Sequence, residues 1–116
     1  GYINVSIPEL TSLDLFNYSK KIGVNRIVTV VSELAEVMKT SVLAKTAKGY
    51  QNTAAIQRLG FILETELLRE KLADSLWEVL KERSYFPIPL SSSKPKVGNA
   101  DNRWKVIKNM EIESDL

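Results

Sequence analysis

The chain has 116 residues, a formal net charge of +2, 44% apolar and 26% charged residues, and neither cysteine nor histidine. That length buries a core without a disulfide or a metal, and the composition is that of one globular domain. The missing residue types exclude zinc-finger and thiol chemistry, histidine-containing triads and imidazole acid–base catalysis, while so small a net charge does not by itself imply nucleic-acid binding.

In chain order, Tyr2, Asn4 and Ser6 alternate with Ile3, Val5 and Ile7, which predicts a short N-terminal strand. Ser6 is the expected N-cap of a first helix, with Pro8 in its first turn and Glu9 completing a capping box. That helix presents Leu10, Leu13 and Phe16 and runs to Lys20 or Lys21, before Gly23. Asn25 is expected to cap a second helix with the stripe Ile27, Val30, Val31, Leu34 and Met38. Ser41 opens a shorter third helix, closed by Gly49 in a left-handed C-cap.

Asn52 or Thr53 starts a fourth helix through Ala54, Ala55, Ile56, Leu59, Ile62 and Leu63, apolar around most of its circumference and therefore the expected centre of the core. Gly60 inside it costs about 1 kcal/mol relative to alanine. The expected compensation is close approach of a neighbouring backbone. A fifth helix carries Leu68, Leu72, Leu76, Val79 and Leu80 on one face, with Trp77 at its edge. Tyr85 to Leu90 is extended because Pro87 and Pro89 remove donors at alternate positions, as on an edge strand. A polar loop, Ser91 to Asn102, leads to one or two strands over Arg103 to Glu113, broken near Asn109. The expected class is α+β: one mostly helical domain with about five helices and short strands near both termini.

Charge is uneven along the chain. Residues 1–58 carry seven bases against four acids, and residues 59–116 carry nine against ten. Lys94, Lys96, Arg103, Lys105 and Lys108 lie close together with the Ser91–Ser93 hydroxyls. They form a candidate phosphate-backbone or partner surface, the bland alternative being a solvated loop and a lysine-protected strand edge. Lys45 and Lys48 form a second small candidate patch, or simply suit a helix C-terminus. Arg58 reads as a structural ion pair or a snorkelling side chain, with a charge that holds a partner or phosphate as the sharper alternative. Gln57 reads as a helix-to-loop hydrogen bond, and Asp14 as a buried partner for Arg58. Trp77 and Trp104 read as packing residues. No nucleophile–base constellation is present, and no lysine stands two residues after Glu111 as a nuclease would require, so no enzyme activity, catalytic residue, cofactor or metal is expected.

Three segments carry a family resemblance: Ser6-Ile7-Pro8-Glu9-Leu10-Thr11-Ser12-Leu13-Asp14-Leu15, Gln57-Arg58-Leu59-Gly60-Phe61-Ile62-Leu63-Glu64, and Arg103-Trp104-Lys105-Val106-Ile107-Lys108-Asn109. In order and spacing, over nearly the whole chain, they resemble the C-terminal domain of the AbiEi family. Those proteins are antitoxins and transcriptional regulators of type IV, abortive-infection toxin–antitoxin systems in bacterial phage defence. The resemblance implies a proline–glutamate helix start, a Gln-Arg-Leu-Gly helix, a Ser-Lys-Pro loop and a final tryptophan strand.

It also implies function. In such proteins the C-terminal domain neutralises a nucleotidyltransferase toxin without a stable complex, an N-terminal winged-helix domain reads the operator, and basic surfaces assist. Residues 1–116 are expected to form the antitoxin domain alone, since the chain opens without methionine or a helix-turn-helix pattern. The expected partners are the toxin, operator DNA through the full-length protein, and a second copy in a homodimer. No stretch approaches the roughly 20 apolar residues of a membrane span, so no membrane partner is expected and the expected location is the cytoplasm. The alternative function is a partner-binding or dimerisation module of a transcriptional regulator without antitoxin activity.

Overall fold

The computed structural model describes residues 7–113. The expected N-terminal strand, apart from Ile7, and the Ser6 cap lie outside them. Helix α1 (Pro8–Asp14) starts with proline in its first turn, where the missing N–H costs nothing. The buried Glu9 carboxylate accepts the Lys39 backbone N–H at 2.7 Å and so caps α4 (Thr40–Lys48), where the positive end of the helix dipole favours it.

The expected single helix to Lys21 is interrupted. A tighter 3-10 turn over Leu15–Tyr18 separates α1 from α2 (Ser19–Ile22). Gly23 then takes φ +88, and α3 (Val24–Ala35) begins directly after it. Asn25 therefore lies inside the first turn instead of capping it, and its Oδ1 accepts the Glu113 N–H at 2.8 Å. The buried stripe is Val24, Ile27, Val28, Val31 and Ala35, so it is rotated from the expected one, leaving Val30 and Leu34 half-buried. Gly49 closes α4 at φ −91, not in the left-handed conformation expected of it.

Helix α5 (Thr53–Phe61) is the central element, packed against α1, the 3-10 turn, α6 (Glu70–Leu80) and β2 (Val106–Ile107). Asn52 caps it as expected, accepting the Ala55 N–H at 3.2 Å. Past Phe61 the helix widens into a π-turn over Ile62–Glu66, and the Thr65 hydroxyl donates to Phe61 O at 2.7 Å. Leu68 ends this segment at φ +55 and is 74% exposed, so it does not share the α6 stripe as expected. That stripe is Leu72, Ala73, Leu76 and Leu80, and α6 lays it on α4 and α5.

Strands β1 (Ile88–Pro89) and β2 pair in parallel, with Ile88 opposite Val106. The two prolines occupy the positions that do not donate to this ladder, while Ile88 N–H reaches Lys105 O (2.9 Å) and Leu90 N–H reaches Ile107 O (2.8 Å). Alternate prolines and parallel pairing are thus compatible. The longer C-terminal strands expected from the alternation shrink to two residues. Asp101 fixes the turn that precedes β2, its carboxylate accepting the backbone N–H groups of Arg103, Trp104 and Val106 at 3.1, 2.7 and 2.8 Å. The fold is a mostly helical α+β domain. Its radius of gyration, 13.4 Å, is that of one domain of this length. Among the described residues no helix is long and apolar enough to cross a membrane.

Candidate functional site

The two motifs richest in unusual residues meet in the interior. From α5, the buried Gln57 amide donates to Phe86 O and Trp104 O, each at 2.9 Å, tying both extended segments to one side chain. This is the helix-to-loop bond expected of Gln57. One helical turn on, Gly60 lies under the fully buried Trp104 ring, and a Cβ built there would fall 2.1 Å from an indole carbon. Gly60 is compensated by close approach, but of a side chain and not of the expected backbone.

Glu64 completes the brace. Its Oε1 accepts the Trp104 indole N–H at 2.7 Å, and its Oε2 accepts from the Arg103 guanidinium at 2.5 Å. The same guanidinium reaches Asp74 at 2.7 Å and lies 5.1 and 5.2 Å from the centroids of Trp77 and Trp104, which are themselves edge-to-face at 6.0 Å. Burial works against this charge, yet the carboxylates of Asp74 and Glu64 outweigh it and hold the group above its usual range. Arg103 is therefore a structural cation, not part of an open basic surface. Lys105 donates to Tyr85 O at 3.3 Å and stacks over that ring at 4.6 Å, Lys108 pairs with Glu66 at 3.3 Å, and Lys96 donates to Pro87 O at 3.2 Å. The C-terminal lysines thus mostly hold their own backbone and neighbouring acids.

The open cationic surface is elsewhere. Two adjoining clefts of about 350 and 410 Å³ share Ser19 and Lys20 and run between the α2 region and the Ser91–Lys94 loop. Lys20, Lys21 and Arg58 line the first, and Lys20, Arg26 and Lys94 the second. Among the described residues no carboxylate lines either. Lys94 is the one residue of the basic C-terminal set that this trough takes up. Lys45 and Lys48 stand exposed on α4, away from it, and Lys48 lines a different cleft beside Glu78 and Glu82.

Two networks hold the trough walls. Asn109 accepts the Ser91 N–H and donates to the carbonyls of Ser91, Pro95 and Lys94 at 2.9, 3.1 and 3.3 Å, shaping the serine loop. On the opposite wall, Asp14 accepts from the Tyr50 hydroxyl (2.5 Å), which accepts from Asn17, whose side-chain oxygen accepts from the α5 cap Asn52 (2.8 Å). Asp14 is thus Tyr50's partner, not Arg58's. Arg58 instead donates Nε–H to Pro89 O at 3.0 Å.

Burial first, and the Asp14 hydrogen bond second, push the Tyr50 phenol up to about 12 from the ordinary 10.0. The native state therefore holds this proton where the unfolded chain releases it. The resulting stability is complete below pH 10 and is lost as pH rises towards 12. In a phenolate absorbance titration, Tyr50→Phe is expected to remove the last of the tyrosine steps. A titration unchanged in its latest step would show that burial and the Asp14 bond do not raise this phenol as described.

Lys20, Lys21 and Arg26 are not among the residues singled out in the sequence, where the lysines mark only the end of the first helix. The available signal was the excess of bases over acids in residues 1–58.

The chain thus folds as a small, mostly helical α+β domain with an internally braced C-terminal segment and a cationic trough. Residues 1–65 match the AbiEi antitoxin C-terminal domain family, and the chain belongs to that family. The match takes in the Pro8–Glu9 and Gln57–Glu64 segments and stops before Arg103 and Trp104. No curated protein and no solved structure matches the chain significantly. Family membership supports an antitoxin role in an abortive-infection system, and the family is regulatory rather than catalytic.

Proposed function

We propose that this domain neutralises a nucleotidyltransferase toxin and, within a full-length regulator, supports operator binding and autoregulation. Family membership supports the first part, and the cationic trough supports an electrostatic mode of action. Five cations line the trough while Asp14, held behind one wall, is bonded to Tyr50, an excess of positive charge that favours encounter with phosphate-rich or acidic partners. The brace consumes Gln57, Gly60, Glu64, Arg103 and Trp104 structurally, so these motif residues act by holding the fold.

Co-expressing residues 1–116 with the toxin encoded beside the gene tests the reading. Restored growth is the expected result. Continued toxicity in cells that accumulate the folded domain would refute it and favour a dimerisation or partner-binding module without antitoxin activity.

A further inference from the structure

The brace supplies acids to Arg103 but none to Arg58. Arg58 is half-buried where α5 passes under β1, and its Nε is spent on Pro89 O. Among the described residues its two terminal nitrogens have no partner. No buried side-chain nitrogen there lacks one, so these two reach the solvent of the cleft they line. A guanidinium partly withdrawn from water without a carboxylate is held at a cost, and burial does press against its charged form. An anion in the cleft removes that cost.

The rest of the lining says which anion. The Asn17 and Asn52 amides each spend one N–H, on Tyr50 and Asn17, so the charged donors a ligand meets are the Arg58 fork, Lys20 and Lys21, with the Ser92 hydroxyl beside them. Guanidinium presents paired donors that fit phosphate or carboxylate oxygens. Three cations around one cleft exceed what a single carboxylate balances and suit a group carrying two or more negative charges. A space of about 350 Å³ admits a pyrophosphate or a nucleotide.

We propose that the Arg58 cleft is a phosphate-binding site, with Arg58 as the paired-donor anchor and Lys20 and Lys21 as flanking charges. Two sources share that chemistry. One is the terminal phosphates of a free nucleotide or polyphosphate. The other is the phosphodiester of a nucleic-acid strand continuing along the trough towards Arg26 and Lys94. The site is independent of the antitoxin reading, because it is measured on the purified domain with no toxin present.

The test is an amide-resolved NMR titration of the whole chain at low ionic strength, with inorganic pyrophosphate in one series and a short single-stranded oligonucleotide in another. Saturable shifts at Asn17, Lys20 and Ser92 are expected with at least one probe, and Arg58→Met should weaken that binding about tenfold, the worth of one charge-assisted hydrogen-bonded contact. Lys20→Gln with Lys21→Gln alters exposed side chains only, so weaker binding by this variant supports the site even if Arg58→Met fails to fold. Pyrophosphate binding alone identifies a free phosphate ligand, and oligonucleotide binding alone a strand. Absence of saturable shifts with both probes, or binding indifferent to every folded variant, overturns the proposal.

Discussion

Gly60→Ala is expected to destabilise the domain by about 3 kcal/mol, the upper end of ordinary overpacking. The added methyl would lie 2.1 Å from the Trp104 ring, far inside contact distance. The ring has little freedom to yield, since it is fully buried, its indole N–H is held by Glu64 and its backbone carbonyl by Gln57. Alanine is otherwise the better helix former, so propensity alone predicts a gain of about 1 kcal/mol. The two arguments differ in sign, and urea denaturation decides between them. Pairing Gly60→Ala with Trp104→Leu should cost less than the sum of the single changes, because the smaller side chain vacates the space the methyl needs. Strict additivity would show that the clash is not the cause.

Gln57→Leu is expected to cost about 2–4 kcal/mol, because it leaves the buried Trp104 carbonyl and the part-buried Phe86 carbonyl without their donor, at about 1–3 kcal/mol for each fully unsatisfied group. Gln57→Glu keeps the shape and reverses the chemistry. At neutral pH its carboxylate faces two carbonyl oxygens and donates nothing, so it is expected to be less stable than the leucine variant. Burial and the carbonyl dipoles raise the folded pKa of the introduced acid above the unfolded value. The folded state therefore takes up a proton more readily, and stability returns as pH falls through the folded pKa. Denaturation midpoints at neutral and mildly acidic pH test this. A Gln57→Glu protein as stable as the parent at pH 7 would remove Gln57 from the brace.

What was legible in the sequence was local. Asn52 as a cap, alternate prolines as an extended run, Trp104 as a core residue and Gln57 as a bond from helix to loop all follow from residue type and immediate neighbours. The misplaced features depend on partners distant in the chain. Glu9 has a partner that local spacing does not show, since Lys39, whose N–H it accepts, is 30 residues away. Asp14 and Arg58 were matched by charge, but Tyr50 competed for the carboxylate and Pro89 O took the arginine. Arg103 was grouped with nearby lysines although Glu64 and Asp74, from the π-turn and α6, neutralise it. Periodicity reports which face is apolar. It does not report which charges will meet across the fold.

The trough was half legible for the same reason. Lys94 and the serines were visible as a basic, hydroxyl-rich loop, and Arg58 as an unusual charge in an apolar helix. Their neighbours Lys20, Lys21 and Arg26 belong to the other wall, brought there by the broken first helix and the Gly23 turn.

We propose that this trough is the surface through which the domain acts as an antitoxin. The most direct measurement is growth of cells expressing the cognate toxin together with the Lys20→Glu, Lys94→Glu variant, beside a control variant, Lys71→Glu, Lys81→Glu, on the exposed side of α6 and its C-terminus. Matched levels and melting temperatures for the two proteins keep folding out of the comparison. Loss of rescue by the trough variant with full rescue by the control is the predicted result. Equal rescue by both would contradict the account and place the working surface elsewhere on the domain.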